Sequence, residues 1–382
     1  MSNSDDPVIV EAPTRPVTMR DIAEQCGVTT ATVSLALRQD PRLSAATIER
    51  VQTVATTLGY DRAHNQAARR MVMRRYGRDV INQMVAIFLP RYFYKATYFA
   101  SLAEGVMDAL AEHNFTNVIV YSDTATLDDR PLPPIFTNSE VDGAIIYGNT
   151  QVYHKLRQTS GFHQRPILSM IVPVEGCPIV AVDDEHGAYL AAKHLLELGH
   201  RRFLHWYTPD PGVSGARLTG TQRALREWQL DPDEHLTLAT WYLGSLNPPF
   251  HLALPDGSAD DAAHGFSPDA QHDFLAYLRI HPDITAILAP NDATARRVGY
   301  LLRREGWKIP DDISLVGYDD CDPMPDEHGH NILTSVHLPL VDVGRHAGYQ
   351  LIQQIMQGTP LPQRLILPTV LHVRQSTAVP HR

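Results

Sequence analysis

Side chains able to contact nucleic acid are concentrated near the amino terminus. In Thr29-Thr30-Ala31-Thr32-Val33-Ser34-Leu35-Ala36-Leu37 the hydroxyls of Thr30, Thr32 and Ser34 can donate to phosphates or base edges, and Ala31 and Leu35 can touch thymine methyls. Farther on, Arg69, Arg70, Arg74, Arg75 and Arg78 carry charge suited to phosphate oxygens and imply a salt-dependent interaction. A third group is DDCDPMPDEHGH, Asp319 to His330, whose carboxylates, Cys321 and H-x-H could in isolation hold a metal. The 19 histidines are otherwise scattered, without H-E-x-x-H or a paired C-x-x-C. GVSGA at 212–216 lacks the second Gly of a nucleophile elbow, and no Walker or dinucleotide Gly-rich loop occurs, so no enzyme activity and no cofactor are expected.

The elements that must position these groups fall into a basic module and an acidic body. Between Arg15 and Arg78 there are eleven Arg, no Lys and five acidic residues, although the 382-residue chain carries a net charge of −10. One end can therefore neutralise phosphates while the rest stays off the polyanion. The length suggests two or three domains. Apolar runs such as MVAIFLP and VDGAIIYG are strand-sized, far short of the roughly 20 residues a bilayer requires. Residues 1–15, acidic and Pro-rich, read as a disordered leader rather than a secretory signal, and Cys26, Cys177 and Cys321 are odd in number and widely spaced; a cytoplasmic protein without disulfides or a zinc site is expected.

Within 16–62 the pattern predicts three short helices around one core. Thr18 and Asp21 have capping-box spacing, with Ile22, Ala23 and Cys26 on one face. Gly27 supplies a sharp turn, Thr29 caps a second helix burying Val33 and Leu37, and Ser44 caps a third carrying Ile48, Val51, Val54, Ala55 and Leu58 up to Gly59. Helix, Gly turn and helix make a DNA-reading motif. From Gln83 strands such as MVAIFLP, NVIVYS, VDGAIIYG and RPILSMI alternate with helices, and the rhythm restarts at RRFLHWY and continues through TAILAP and ISLVGYDD. Two doubly wound parallel-sheet α/β lobes with a cleft between them follow. Phe93 and Trp241 are candidates to stack on a ligand there, with ordinary core packing as the alternative for each, and the Pro- and Gly-rich stretch 243–268 reads as a surface loop near the cleft or an added partner contact.

The stretch VTMRDIAEQCGVTTATVSLALRQDPRLSAATIERVQTVATTLGY resembles the headpiece of the LacI/GalR family of transcription regulators. VDDEHGAYLAAKHLLELGHRRF, RLTGTQRAL, AILAPNDATARRVGYLLRREGWKIPDDISLVGYDD and LPTVLHVRQST are similar to that family's core blocks. The resemblance implies that Thr18, Thr29, Thr32 and Ser34 hold the DNA backbone while Thr30, Ala31 and Leu35 face base edges in the major groove. Cys26 stands where the family usually has Ala, and Leu35 where Arg is usual, so a different operator preference is expected. Residues 63–79 are similar to the family's hinge helix, with Asn65, Ala68 and Arg69 kept and Met71 in place of the Leu that wedges into the minor groove; a plain basic linker is the alternative. For the core, residues 80–382, the resemblance implies periplasmic-binding-protein-like lobes at about 80–182 with 336–358 and about 183–335 with 359–382. It also implies an effector, a sugar or sugar derivative, reached by Arg217, Asn291 and Asp319.

The family places Asp319 to His330 at the cleft and the loop beyond it, which argues against a metal there. The expectation is a homodimeric regulator, more often a repressor, binding a pseudo-palindromic operator as double-stranded DNA, with no membrane association and no tail for tetramers. The competing expectation is a cytoplasmic sugar-binding protein or enzyme whose headpiece no longer reads DNA.

Overall fold

Local capping and a shared apolar face build the first part of the protein. The computed structural model describes residues 17–37, 40, 42–60, 81–91, 96–122, 131–207, 212–240 and 268–381, and the chain divides into two compact units, Met1–Val80 and Ile81–Arg382. Asn65, Ala68, Arg69, Met71, Phe93, Trp241, the leader and residues 241–267 lie outside the described residues. Helices α1 (Met19–Cys26), α2 (Thr30–Leu37) and α3 (Ala45–Thr57) form the first unit. Thr18 and Asp21 close the capping box: the Thr18 N–H donates to Asp21 Oδ2 at 2.7 Å, and the Asp21 N–H donates to Thr18 Oγ1 at 3.4 Å. Gly27 ends α1 in the left-handed region at φ 63°, a conformation that strains residues with a Cβ. Ile22, Ala23, Cys26, Val33, Ala36, Val51 and Ala55 are the buried core. Leu37, expected inside with Val33, is only partly buried; the enclosed stripe of α2 runs i, i+3 to Ala36.

The second unit contains one winding used twice. Strands β1 (Met84–Leu89), β2 (Thr116–Tyr121), β3 (Gly143–Ile146), β4 (Ile167–Met170) and β5 (Ile179–Val182), with β11 (Arg364–Leu367), make a parallel sheet in the order β2-β1-β3-β4-β5-β11. Strands β6 (Phe203–Tyr207), β7 (Leu236–Thr240), β8 (Ala286–Leu288), β9 (Ser314–Asp319) and β10 (Thr334–His337), with β12 (Val370–His372), repeat it as β7-β6-β8-β9-β10-β12, where β12 alone runs antiparallel. Continuous apolar runs such as Val85 to Leu89 are fully buried, as expected of strands covered on both faces.

The helices of this unit are α4 (Thr97–Glu112), α5 (Pro134–Thr137), α6 (Thr150–Gln158), α7 (Asp184–Glu197), α8 (Val213–Glu227), α9 (Pro232–His235), α10 (Pro268–Ile280), α11 (Asp292–Arg304) and α12 (Leu340–Gln357). In the first lobe α4 packs on α12, and in the second α8 packs on α7. Both contacts depend on glycine for close approach. A Cβ at Gly105 would lie 1.9 Å from the Val341 carbonyl oxygen, and one at Gly220 would lie 2.0 Å from that of Glu185. The chain crosses between lobes three times, after β5, after β10 and after β11. The expected lobe boundaries need correction here. Residues 336 and 337 end β10 in the second sheet, and β11, expected in the second lobe, pairs with β5 in the first.

Candidate functional site

On α2 the Thr29 side chain accepts a hydrogen bond from the Thr32 N–H at 3.2 Å and lies 2.9 Å from the Thr32 hydroxyl, so Thr29 is the cap. Thr29, Thr30 and Ala31 are exposed, and Thr32, Ser34 and Leu35 are half-buried. No acidic residue stands in the first turn. The free N–H groups of that turn and its positive dipole end suit an anion such as a backbone phosphate. Thr18 is exposed as well, but its hydroxyl donates to Asp21 Oδ2 at 2.7 Å, so a phosphate contact requires that proton to change partner.

The other candidate site lies at the carboxyl ends of the core strands, where open α/β sheets bind ligands. Arg217, on the first turns of α8 behind β6, is its centre. Its Nε donates to Asp184 Oδ1 at 2.8 Å, its Nη1 donates to the Pro290 carbonyl at 2.7 Å, and its Nη2 lies 3.9 Å from Asp319 Oδ1. The guanidinium also stacks 3.5 Å over the Tyr318 ring. Burial opposes its charge, yet Asp184, Tyr318 and Asp319 hold its pKa above the ordinary value. Asp183 caps α7 through the His186 N–H, which leaves Asp184 for Arg217.

Asp319 closes β9 with φ 97°, and Asp320 follows with φ 55°. Two such residues in succession outside glycine cost on the order of 1–3 kcal/mol each. This backbone aims successive carboxylates in different directions. Burial lifts Asp319 well above the usual carboxylate range despite Arg217, so it can act as hydrogen-bond donor or acceptor. Asp292 is pushed up to about 7 by burial, although Ser335 and the Cys321 and Asp322 N–H groups donate to it. Asn291 Oδ1 accepts from the Thr294 N–H at 2.8 Å and caps α11, leaving its amide as a donor at the end of β8.

From the first lobe come Tyr98 and Phe99 at the start of α4 and Tyr147 just past β3. Phe99 and Tyr147 meet edge-on at 4.9 Å, and the Tyr147 hydroxyl donates to that of Tyr98 at 3.4 Å. Burial raises both phenols, Tyr147 to about 12. Tyr98, Phe99 and Tyr147 pack against the same apolar cluster as Tyr318, the ring that Arg217 stacks on. Sequence reasoning named Arg217, Asn291 and Asp319, and the structure brings Arg217 and Asp319 together. It missed Asp184, Tyr98, Phe99, Tyr147 and Tyr318. Their one signal is position: Asp184, Tyr147 and Tyr318 sit at or just beyond the carboxyl end of a strand, and Tyr98 and Phe99 open the helix that follows β1. The H-x-H of Asp319 to His330 is part of an exposed turn in which Asp326 Oδ1 accepts from the His328 and His330 N–H groups.

Residues 18–63 match the model for bacterial regulatory proteins of the lacI family, and residues 192–377 match that for a periplasmic binding protein-like domain. The helix-turn-helix transcriptional regulator CelR of Thermobifida fusca is 29% identical over 94% of this chain and 98% of its own length. A LacI family regulator from Enterococcus faecium, solved with bound ribose, is 26% identical, covers 78% of this chain and 99% of its own, and superposes with a TM-score of 0.60. The lac repressor dimer, solved on its operator with an anti-inducer, shares the fold at 20% identity and a TM-score of 0.64 over 95% of this chain and all of its own. The chain thus joins a lacI-type helix-turn-helix domain to a periplasmic-binding-protein-like domain, the combination found in regulators named for that family.

Proposed function

We propose that this DNA-binding regulator is a repressor controlled by a sugar or sugar derivative held between the two core lobes. Arg217 carries the reading: it is buried between Asp184 and Asp319 and stacks on Tyr318, against whose apolar cluster Tyr98, Phe99 and Tyr147 also pack. Carboxyl and guanidinium groups form paired hydrogen bonds with vicinal hydroxyls, and aromatic rings cover the apolar face of a pyranose or furanose. Asn291 adds an amide donor. Phe93 and Trp241, which lie outside the described residues, remain stacking candidates on the sequence alone. The ribose bound by the E. faecium relative supports the sugar class.

The exposed face of α2 enters the major groove. Thr18, Thr29, Thr32 and Ser34 contact phosphates, and Thr30, Ala31 and Leu35 contact base edges. Asn65, Ala68, Arg69 and Met71 belong to a hinge that enters the minor groove. The protein acts in the cytoplasm as a homodimer on a pseudo-palindromic site and carries no catalytic activity. Ligand changes the lobe angle and thereby the operator affinity, through its different affinity for the two lobe arrangements. A thermal-shift screen of mono- and disaccharides and nucleosides tests the class. A ligand at 100 times its dissociation constant adds about 2.7 kcal/mol to stability. A response confined to nucleosides, or to compounds without vicinal hydroxyls, contradicts the reading.

A further inference from the structure

We infer that Asp320, His337 and His372 form a binding site for a divalent first-row cation of the Zn2+ type at the points where the chain leaves and re-enters the second lobe. Asp320 follows β9, His337 is the last residue of β10 before the crossover to α12, and His372 ends β12 after the return from β11. One ligand atom from each of the three lies within 4.8 Å of the others. The His372 Nδ1 is 2.6 Å and the His337 Nδ1 is 3.5 Å from the same carboxylate oxygen, Asp320 Oδ2. The two imidazoles stack at 5.0 Å and 21°. Two ligands at about 2.0 Å in tetrahedral geometry stand about 3.3 Å apart, so small side-chain rotations bring all three onto one ion.

Two features separate this cluster from an ordinary ionic contact. The His337 Nδ1 is buried and makes no hydrogen bond among the described residues, although it stands 3.5 Å from the Asp320 carboxylate. The other oxygen, Asp320 Oδ1, accepts from Arg374 Nη1 at 2.7 Å, and Arg374 also donates to the Leu333 carbonyl. An outer hydrogen bond of this kind orients a carboxylate ligand and keeps it ionised. Burial works against that ionisation, but Arg374 and His372 hold Asp320 below the usual carboxylate range. Two imidazoles and one carboxylate with an open position suit Zn2+ better than Ca2+ or Mg2+, which require more oxygen ligands. Uptake replaces the His372 Nδ1 to Asp320 hydrogen bond with metal bonds, the neutral imidazole then carrying its N–H on Nε2. A bound ion would tie β9, β10 and β12 together beside Asp319 and so, if the sugar reading holds, stiffen the side of the cleft that carries the ionic group.

The test is titration of ZnCl2 into chelator-treated full-length protein, followed by calorimetry. Uptake of one ion per chain is expected. His337→Ala and His372→Ala should each abolish it, and Arg374→Gln should weaken it about 10- to 100-fold. A double variant of the exposed turn, His328→Ala with His330→Ala, should bind like the parent. Cobalt(II) substitution of the unaltered protein reads the ligand set without any mutation: intense visible d–d bands are expected for a four-coordinate nitrogen and oxygen site. The inference is overturned by absence of one-to-one uptake, by retained uptake in both single variants, by loss in the turn variant alone, or by the weak spectrum of hydrated cobalt. None of these readouts involves sugar or DNA, so the site and the proposed function fail separately.

Discussion

At the carboxyl ends of their strands the two lobes carry opposite chemistry on the same winding. The first presents Tyr98, Phe99 and Tyr147 behind β1 and β3, and the second presents Arg217, Asn291 and Asp319 behind β6, β8 and β9, with Asp184 joining from the crossover after β5. Strand order fixes where a ligand can sit, whereas the residues just beyond each strand decide which of its faces each lobe holds. A ligand with one apolar and one hydroxylated face is satisfied only when both lobes close on it. Under the proposed function, that asymmetry would make lobe closure depend on the ligand.

The comparison breaks most sharply at Arg217. Arg217→Ala leaves Asp184 buried without its counter-charge, and about 3–5 kcal/mol of stability should be lost in urea denaturation at neutral pH. The same variant should lose its thermal response to any sugar that stabilises the parent. Next comes the pH dependence of the polar lobe. Asp292 is raised from 3.8 to about 7 in the folded protein, so the native state keeps a proton that the unfolded chain has released. Stability should therefore fall as pH rises from about 4 to about 7, by up to a few kcal/mol, since each unit of pKa difference is worth about 1.4 kcal/mol. In Asp292→Asn that fall should be smaller, as read from urea midpoints across the same window.

The shared scaffold can be tested separately from the chemistry. Gly105→Ala in the first lobe and Gly220→Ala in the second drive a Cβ into facing backbone at nearly equal distances, and each should cost about 1–3 kcal/mol. A large cost in one and none in the other would mean that the two helix pairs are not equivalent. The smallest change is Tyr147→Phe, which removes one hydroxyl from the aromatic side. It should cost about 0.5–1.5 kcal/mol and leave the Arg217 ion pairs intact, as measured by denaturant midpoint.

Much of the amino-terminal unit was legible because its signals are local. Thr18, Gly27, Thr29 and Ser44 act within four residues of their own position, and each does in the structure what its spacing suggests. In the core, motifs marked Arg217, Asn291 and Asp319, of which the structure brings Arg217 and Asp319 together. Asp184 follows β5 and Tyr147 follows β3, and nothing in their local spacing records that both lie near Arg217 and Tyr318. The strand β11 was misplaced for a related reason: LILP and VLHV are both short apolar runs near the end of the chain, and only pairing shows that they belong to different sheets. The partner of Asp320 was hidden likewise, since the neighbouring H-x-H closes its own turn while His337 and His372 come from two later strands.

The most direct measurement is binding of the full-length protein to selected genomic fragments against bulk DNA, by fluorescence anisotropy at about 0.15 M salt, with and without the sugar that shifts its melting. Preference for particular fragments by a factor of at least about 10³, weakened by Thr30→Ala and altered by the sugar, is expected. Equal affinity for every fragment, with or without ligand, would contradict a regulator whose reading helix answers to its cleft.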